Sequence, residues 1–475
     1  MKFIIAAGSV LLSALHAFAT VPTFNKDIAP ILYQNCATCH RPGEVAPFSL
    51  LTYRDAAKRA SLIATVTAKH YMPPWKAEPG YQHFEDERRL TDSQIRIISE
   101  WARNGAPEGD PQQKPVPPQF AGGWQAGKPS AVLSMPQPFH VAADGRDVFQ
   151  CFVVPLNFAE DRYVKSVEFH PGNPGIVHHA LFFLDTSGEA RKLDAATPEP
   201  GYSCFGGPQI APAGGLGGWA PGAFPRPLPS GVAQTVKKGA DLVIQIHYHP
   251  SGKPEIDQSS IGLTFGDQPQ KGLANMLVGT RQIDLAPGDA HQEVTDWASV
   301  PEDVDLIGIT PHAHLLCKEM KVDARLPGGK TEPLIWIRDW DFNWQGQYRY
   351  ATPVHLPKGT RIEMRYVYDN SNANPHNPSN PPKRVTFGEQ TTDEMALLFL
   401  QVVLPRPEDV PQFRREFILG RISQFLAEGG SPAGIRSGAM ARMRAVIPRF
   451  DTNHNGVLEP EERAAMLQFL EGRMR

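Results

Sequence analysis

The sequence predicts a multidomain chain: a small all-α unit first, then two all-β sandwich (jelly-roll) units, then a short α-helical C-terminal segment. Three observations carry that prediction. Helical apolar spacing is confined to the two ends, whereas the middle is a series of short alternating runs separated by turn residues. Proline and glycine are both abundant, 46 and 41 residues, as short strands and turns require. At 475 residues the chain is too long for one core.

Taken in order, Lys2, the apolar stretch Phe3 to Leu15 and Ala17-Phe18-Ala19 read as a signal peptide over residues 1–19. The apolar stretch is shorter than the ~20 residues a bilayer span needs, and no later segment is long and apolar enough to serve. The mature chain is expected to begin near Thr20, in the periplasm or outside the cell. A formal net charge of -3 with balanced signs argues against a nucleic-acid partner. Residues 20–108 form the first unit, with helices predicted over Phe24 to Tyr33, Asp55 to Lys69 and Asp92 to Asn104. Thr91 is placed to cap the last helix, and Gly105 with Pro107 to end it. A proline-rich linker over 109–130 follows, semi-extended by composition. Strands are predicted at Val148 to Pro155, Tyr163 to Phe169, Val177 to Leu184, Leu242 to Tyr248, Leu306 to Thr310, Arg361 to Tyr368 and Ala396 to Val403. They divide into sandwiches over 131–272 and 273–405, and a helical tail occupies 406–475.

Cys36-Ala37-Thr38-Cys39-His40 is the attachment motif for c-type haem. Two thiols at this spacing form thioethers to the porphyrin while His40 takes one axial iron position. A redox Cys-x-x-Cys has no need of a histidine directly after it, and no second cysteine pair completes a zinc site. Three helices around this motif are the layout of a small cytochrome c. Met72, on a proline-rich loop, is the favoured sixth ligand, with His70 and His83 as competitors.

The histidines gather on predicted strands: His178 and His179 in GIVHHALFF, His247 and His249 in VIQIHYHP, His312 and His314 in ITPHAHLL. Residues two apart on a strand share a face, so His312 and His314 can reach one ion. Adjacent His178 and His179 point to opposite faces unless the strand bulges. Such clusters in apolar strands point to metal.

GIVHHALFF, LVIQIHY, PHAHLL and Thr391-Thr392-Asp393-Glu394-Met395, in that order, resemble the motifs of the copper type II, ascorbate-dependent monooxygenases. That family includes the peptidylglycine alpha-hydroxylating and dopamine beta-monooxygenases, and the resemblance spans about residues 135 to 405. It implies two copper ions. His178, His179 and His247 would hold an electron-transfer copper. His312, His314 and Met395 would hold the oxygen-activating copper and form the catalytic set. It also implies a Cys151–Cys204 disulfide. His249 has no family role, and Cys317 stands where the family commonly has glycine. Thr310, Leu397 and Phe399 replace an arginine, an asparagine and a tyrosine of the peptide-amidating enzyme, which argues against a peptidyl-glycine substrate. The implied activity is O2-dependent hydroxylation of a C–H bond in a small molecule; the family usually takes its electrons from ascorbate, and the haem motif of this chain suggests a haem that replaces or supplements that donor, fed by an external electron donor. The alternative is a non-enzymatic haem and copper electron-transfer protein.

Near the C-terminus Asp451, Asn453, Asn455, Val457 and Glu462 match the ligand positions of an EF-hand loop, with Gly456 at the sharp turn. One calcium ion is expected there.

Overall fold

The computed structural model describes residues 21–44, 46–120, 123–427, 446–453 and 458–473. The expected signal peptide lies outside them, as do Asn455 and Val457 of the calcium loop. Two compact units divide the chain: Met1–Pro73 with Arg88–Gln119, and Pro74–Glu87 with Phe120–Arg475. No helix among the described residues is long and apolar enough to cross a membrane.

The described elements of the first unit are helical. A π-helical turn, Phe24–Ile28, runs into α1 (Ala29–Asn35). Phe24, Ile28 and Leu32 recur every four residues, so they share one helix face, and all three are fully buried with Ile98 and Trp101. The helix expected over 55–69 is two, α2 (Tyr53–Ala57) and α3 (Ala60–Ala68). Arg59 breaks it by leaving helical angles (φ −121°, ψ 14°) and laying its guanidinium 4.3 Å over the Phe48 ring. Helix α4 (Asp92–Arg103) starts on a capping box in which Thr91 accepts from Gln94 N and the Gln94 side chain accepts from Thr91 N. The chain beyond it is pinned rather than free. Phe24 N and Asn25 N donate to the carbonyls of Pro107 and Glu108, and Gly109 (φ +81°) passes so close to Thr23 that a Cβ there would stand 2.5 Å from it.

The second unit is built of antiparallel strands. The first set comprises β1 (Ala131–Ser134), β2 (Phe139–Val141), β3 (Val148–Pro155), β4 (Arg162–His170), β5 (Val177–Asp185), β6 (Tyr202–Ser203), β7 (Gly214–Trp219), β8 (Gln234–Val236), β9 (Asp241–Tyr248), β10 (Glu255–Asp257) and β11 (Ser260–Phe265). They pair as β1-β11-β4-β8, as β6-β3-β9-β5-β7, and as a small β10-β2 ribbon, enclosing a core around Phe152, Phe169, Ile244 and Leu263. Strand β9 is buried at every position, which explains why LVIQIHY shows no polar alternation. Its outer face is covered by α5 (Glu189–Ala195) and by the Cys151–Cys204 disulfide, which closes a 53-residue separation and contributes ~4 kcal/mol by loop entropy.

The second set comprises β12 (Gly272–Thr280), β13 (Asp284–Leu285), β14 (Gln292–Ser299), β15 (Val304–His312), β16 (Cys317–Arg325), β17 (Thr331–Ile337), β18 (Tyr348–Leu356), β19 (Arg361–Tyr368), β20 (Val385–Thr386) and β21 (Ala396–Leu404). These form sheets β12-β21-β15-β18 and β14-β19-β16-β17, with β13-β20 beside them. No sheet mixes strands of the two sets, so each set is a sandwich of its own.

Residues 74–87 belong with the second sandwich. Ala77 bridges to Ile337, Phe84 bridges to Tyr350, and Trp75, Ala77 and Phe84 enter its core against Tyr348 and Tyr350. Helix α6 (Val410–Ala427) adds Phe413 and Phe417 to the same core, and its Arg421 pairs with Asp296 at 2.6 Å. Helix α7 (Pro460–Arg473) closes the described chain.

Candidate metal centres

The pairing of β5 with β9 slips between Val177 and His179, and His179 stands opposite His247. This is the distortion that adjacent histidines need in order to face one point. His178 Nδ1 and His179 Nδ1 are 3.0 Å apart, and His247 Nδ1 is 3.4 Å from His179 Nδ1. All three imidazoles offer a ligand atom within 4.8 Å of the others. Behind them, Phe149 stacks on His247 at 4.2 Å, and Asp147 Oδ2 lies 3.2 Å from His247 Nε2, off the axis a hydrogen bond would take. A carboxylate on the far nitrogen of a ligating histidine is the usual outer partner of a metal site.

His312 ends β15, and His314 follows in the turn to β16, with ring centroids 5.3 Å apart. Their tautomers are set by their partners. His314 Nδ1 faces the Asp393 carbonyl at 3.0 Å, which can only accept, so Nδ1 carries the proton. His312 Nδ1 donates to Gln345 Oε1 at 2.7 Å, and the Gln345 amide is oriented by its own Nε2 donating to Phe342 O. Both rings therefore present an unprotonated Nε2. Glu394 is fully buried and accepts from His314 N, Leu316 N and Met395 N, which fastens the His-x-His turn to the segment bearing Met395. In the β15–β21 register, His312 pairs with Leu397. Two residues beyond that pair on each strand, His314 N and Met395 N both donate to Glu394 Oε2, and the Met395 carbonyl accepts from Tyr368 OH.

The two groups are neighbours. The Phe342 ring stacks on His178 at 4.9 Å and meets His314 edge-on at 5.7 Å. Burial first, then the nearby imidazoles, drives His178 down to about 3 and His179 well below the ordinary histidine range. Burial likewise lowers His312 to about 3 and His314 to about 4, with each cluster contributing to the shift in the other. Neutral rings are what a metal requires, and imidazole donors suit copper, zinc, iron or nickel. Trp340, Phe342 and Gln345, which shape this place, come from a WDFNWQ loop that carries no metal-binding pattern. Asp147 and Gln345 have no local signal either, whereas Glu394 stands inside the TTDEM segment. Cys317 turns into the core of the second sandwich, away from a ligand role. His249 is exposed and pairs with Asp147 at 2.8 Å.

In the first unit, Cys36 and Cys39 are unpaired thiols on one turn, since Cys39 N and His40 N both donate to Cys36 O. His40 Nδ1 faces the Phe48 carbonyl at 3.1 Å and so leaves Nε2 for iron, which fits a covalently held haem. Met72 follows α3, its N–H donating to Val66 O. His83 lies in the second unit, its carbonyl accepting from Ala351 N. At the C-terminal loop, Asp451 is buried, and Glu462, at position twelve of the expected calcium loop, reaches back to accept from Thr452 N at 2.7 Å.

No protein-family model and no curated protein matches the chain. Solved structures similar to part of it include the major capsid protein P2 from bacteriophage PM2 (10% identity, 58% of this chain, 97% of that chain, TM-score 0.26). Others are the infectious bursal disease virus VP2 subviral particle (10%, 60% and 74%, TM-score 0.18) and the PBSX exported protein XepA (7%, 55% and 92%, TM-score 0.16). Likenesses this slight carry no argument about function.

Proposed function

We propose that this chain is an exported copper-dependent monooxygenase that uses O2 to hydroxylate a C–H bond of a small apolar substrate. One observation supports this above the others. Three imidazoles converge through a strand bulge on one sandwich, and the His312–His314 pair of the other sandwich shares the Phe342 ring with them.

The reaction takes substrate, O2, two electrons and two protons to alcohol and water. Copper held by His178, His179 and His247, and by His312, His314 and Met395, would supply one-electron chemistry and O2 activation. A haem bound through Cys36, Cys39 and His40, with Met72 as sixth ligand, would supply electrons one at a time from an external donor. The chain's own part is positional. Gln345 and the Asp393 carbonyl hold the His312 and His314 protons on Nδ1. Leu397 is the cross-strand partner of His312, Phe399 of Thr310, and Leu277 of Phe399. Direct partners share a face, so an apolar surface with Phe399 41% and Leu277 45% exposed adjoins His312. That surface suits a hydrocarbon or aromatic substrate without a carboxylate. A calcium ion at Asp451, Asn453 and Glu462, with Asn455 and Val457 completing the loop, would be structural.

Metal analysis of the full chain tests the reading: two coppers, one iron and one calcium are expected, with O2 uptake matched by hydroxylated product. His312→Ala should keep the haem spectrum and lose product. Electron relay without product would mark the chain as an electron-transfer protein, and a haem-loaded chain that takes up no copper would refute the copper reading.

A further inference from the structure

We infer that Asp147 is a positioning residue that ties the first imidazole cluster to the Met395-bearing segment, so that filling one metal centre favours filling the other. The inference rests on the copper reading above. Asp147 directly precedes β3, and its side chain is only 7% exposed. Its Oδ1 pairs with His249 Nδ1. Its Oδ2 lies 3.2 Å from His247 Nε2 and also accepts from Thr391 Oγ1 at 2.5 Å and Thr391 N at 3.3 Å. One buried carboxylate thus reaches His247, whose opposite nitrogen faces His179, and the segment that runs three residues on to Glu394 and then Met395.

A second link runs in parallel. Glu389 Oε2 accepts from Gly206 N at 2.5 Å, and the adjacent Phe205 ring packs on Phe149, which stacks on His247. Two side chains of residues 389–395 therefore grip the surroundings of His247, while Glu394 at the end of that segment holds the His314 turn. Both sandwiches contribute to this chain of bonds. A cation at the first centre would fix the His247 ring and with it the neighbouring Asp147 carboxylate, the acceptor on which Thr391 depends. Linkage then makes the effect mutual: an ion held at Met395 must favour the first centre by the same factor.

The experiment is an anaerobic Cu(I) titration of the full chain against a competing chromophoric chelator. It is run on wild type and on a His178→Ala, His179→Ala double variant, with Cu(II) paramagnetic resonance spectra of each. The affinity of the His312, His314 and Met395 centre is expected to fall about 5- to 150-fold when the first centre is removed. Thr391→Val should leave the first centre's spectrum, and its affinity measured with the second centre empty, intact while abolishing that dependence, and Thr391→Ser should restore it. Asp147→Asn should weaken the first centre about 10- to 100-fold, change its spectrum and also abolish the dependence. If two coppers bind with no dependence in wild type, or the dependence survives Thr391→Val, the inference is overturned and the copper reading stands. A wild-type chain that binds no copper overturns both.

Discussion

An imidazole has two nitrogens, and the partner taken by one decides what the other can offer. At His312 that partner is Gln345, whose amide oxygen is aimed by its own bond to Phe342. Gln345→Leu removes the acceptor while keeping the bulk, so the ring can turn or change tautomer. Copper affinity at the proposed second centre should drop about 10- to 100-fold, read by Cu(I) competition. An unchanged affinity would mean that Gln345 plays no part in setting the ring. The clustering of the histidines is legible in the sequence because residue type and strand spacing bring them together. Their outer partners are not, because Gln345 lies 33 residues from His312 and is an ordinary amide in an aromatic loop. Cys317 misleads for the opposite reason: its place in the chain is close to His314, but the first position of β16 turns it into the core.

Strands read well from their apolar runs, since every run predicted in the middle of the chain falls within a strand. The bulge at His179 is foreseeable because two adjacent histidines cannot otherwise meet. The chain between the units is harder to read. Composition alone suggests an extended linker over 109–130, yet Gln125 N and Ala126 N donate to the buried Glu168 carboxylate, and Trp124 stacks on His170 at 4.0 Å. A Cβ at Gly262 would come within 2.7 Å of Trp124, so glycine is needed there. Burial raises the Glu168 pKa, but hydrogen bonds from His170, Ala126 and Gln125 outweigh it, and the net shift is downward. A lowered folded-state pKa gives stability that is complete above the unfolded value of ~4.3 and is lost as pH falls through the folded value. Glu168→Gln should therefore flatten the dependence of the denaturation midpoint on pH below ~4.3, besides costing ~1–3 kcal/mol at neutral pH. A variant with the wild-type acid dependence would show that Glu168 contributes nothing to it.

At the scale of the whole molecule, the chain does not divide where its composition changes. The segment after Met72 reads in sequence as a haem-side loop, because nothing local reveals partners on strands some 250 residues away. Those partners make it part of the second sandwich: Trp75 meets Tyr348 edge-on at 5.3 Å, and Phe84 lies 5.1 Å from Tyr350. Trp75→Ala or Phe84→Ala should destabilise the second sandwich by ~3–5 kcal/mol. Calorimetry of the full chain would show this as a lowered transition for that sandwich, and an unmoved transition would mean that the packing is dispensable.

Because residues 74–87 are loaned to a neighbour, neither unit could be inherited alone without loss. A recombination joint at residue 119 would hand on a sandwich lacking three of its interior side chains, and a donor fragment with those same side chains exposed. The proposed electron-donating role is therefore better probed by Cys36→Ala with Cys39→Ala, which removes the thiols that would hold a haem and leaves the polypeptide uncut.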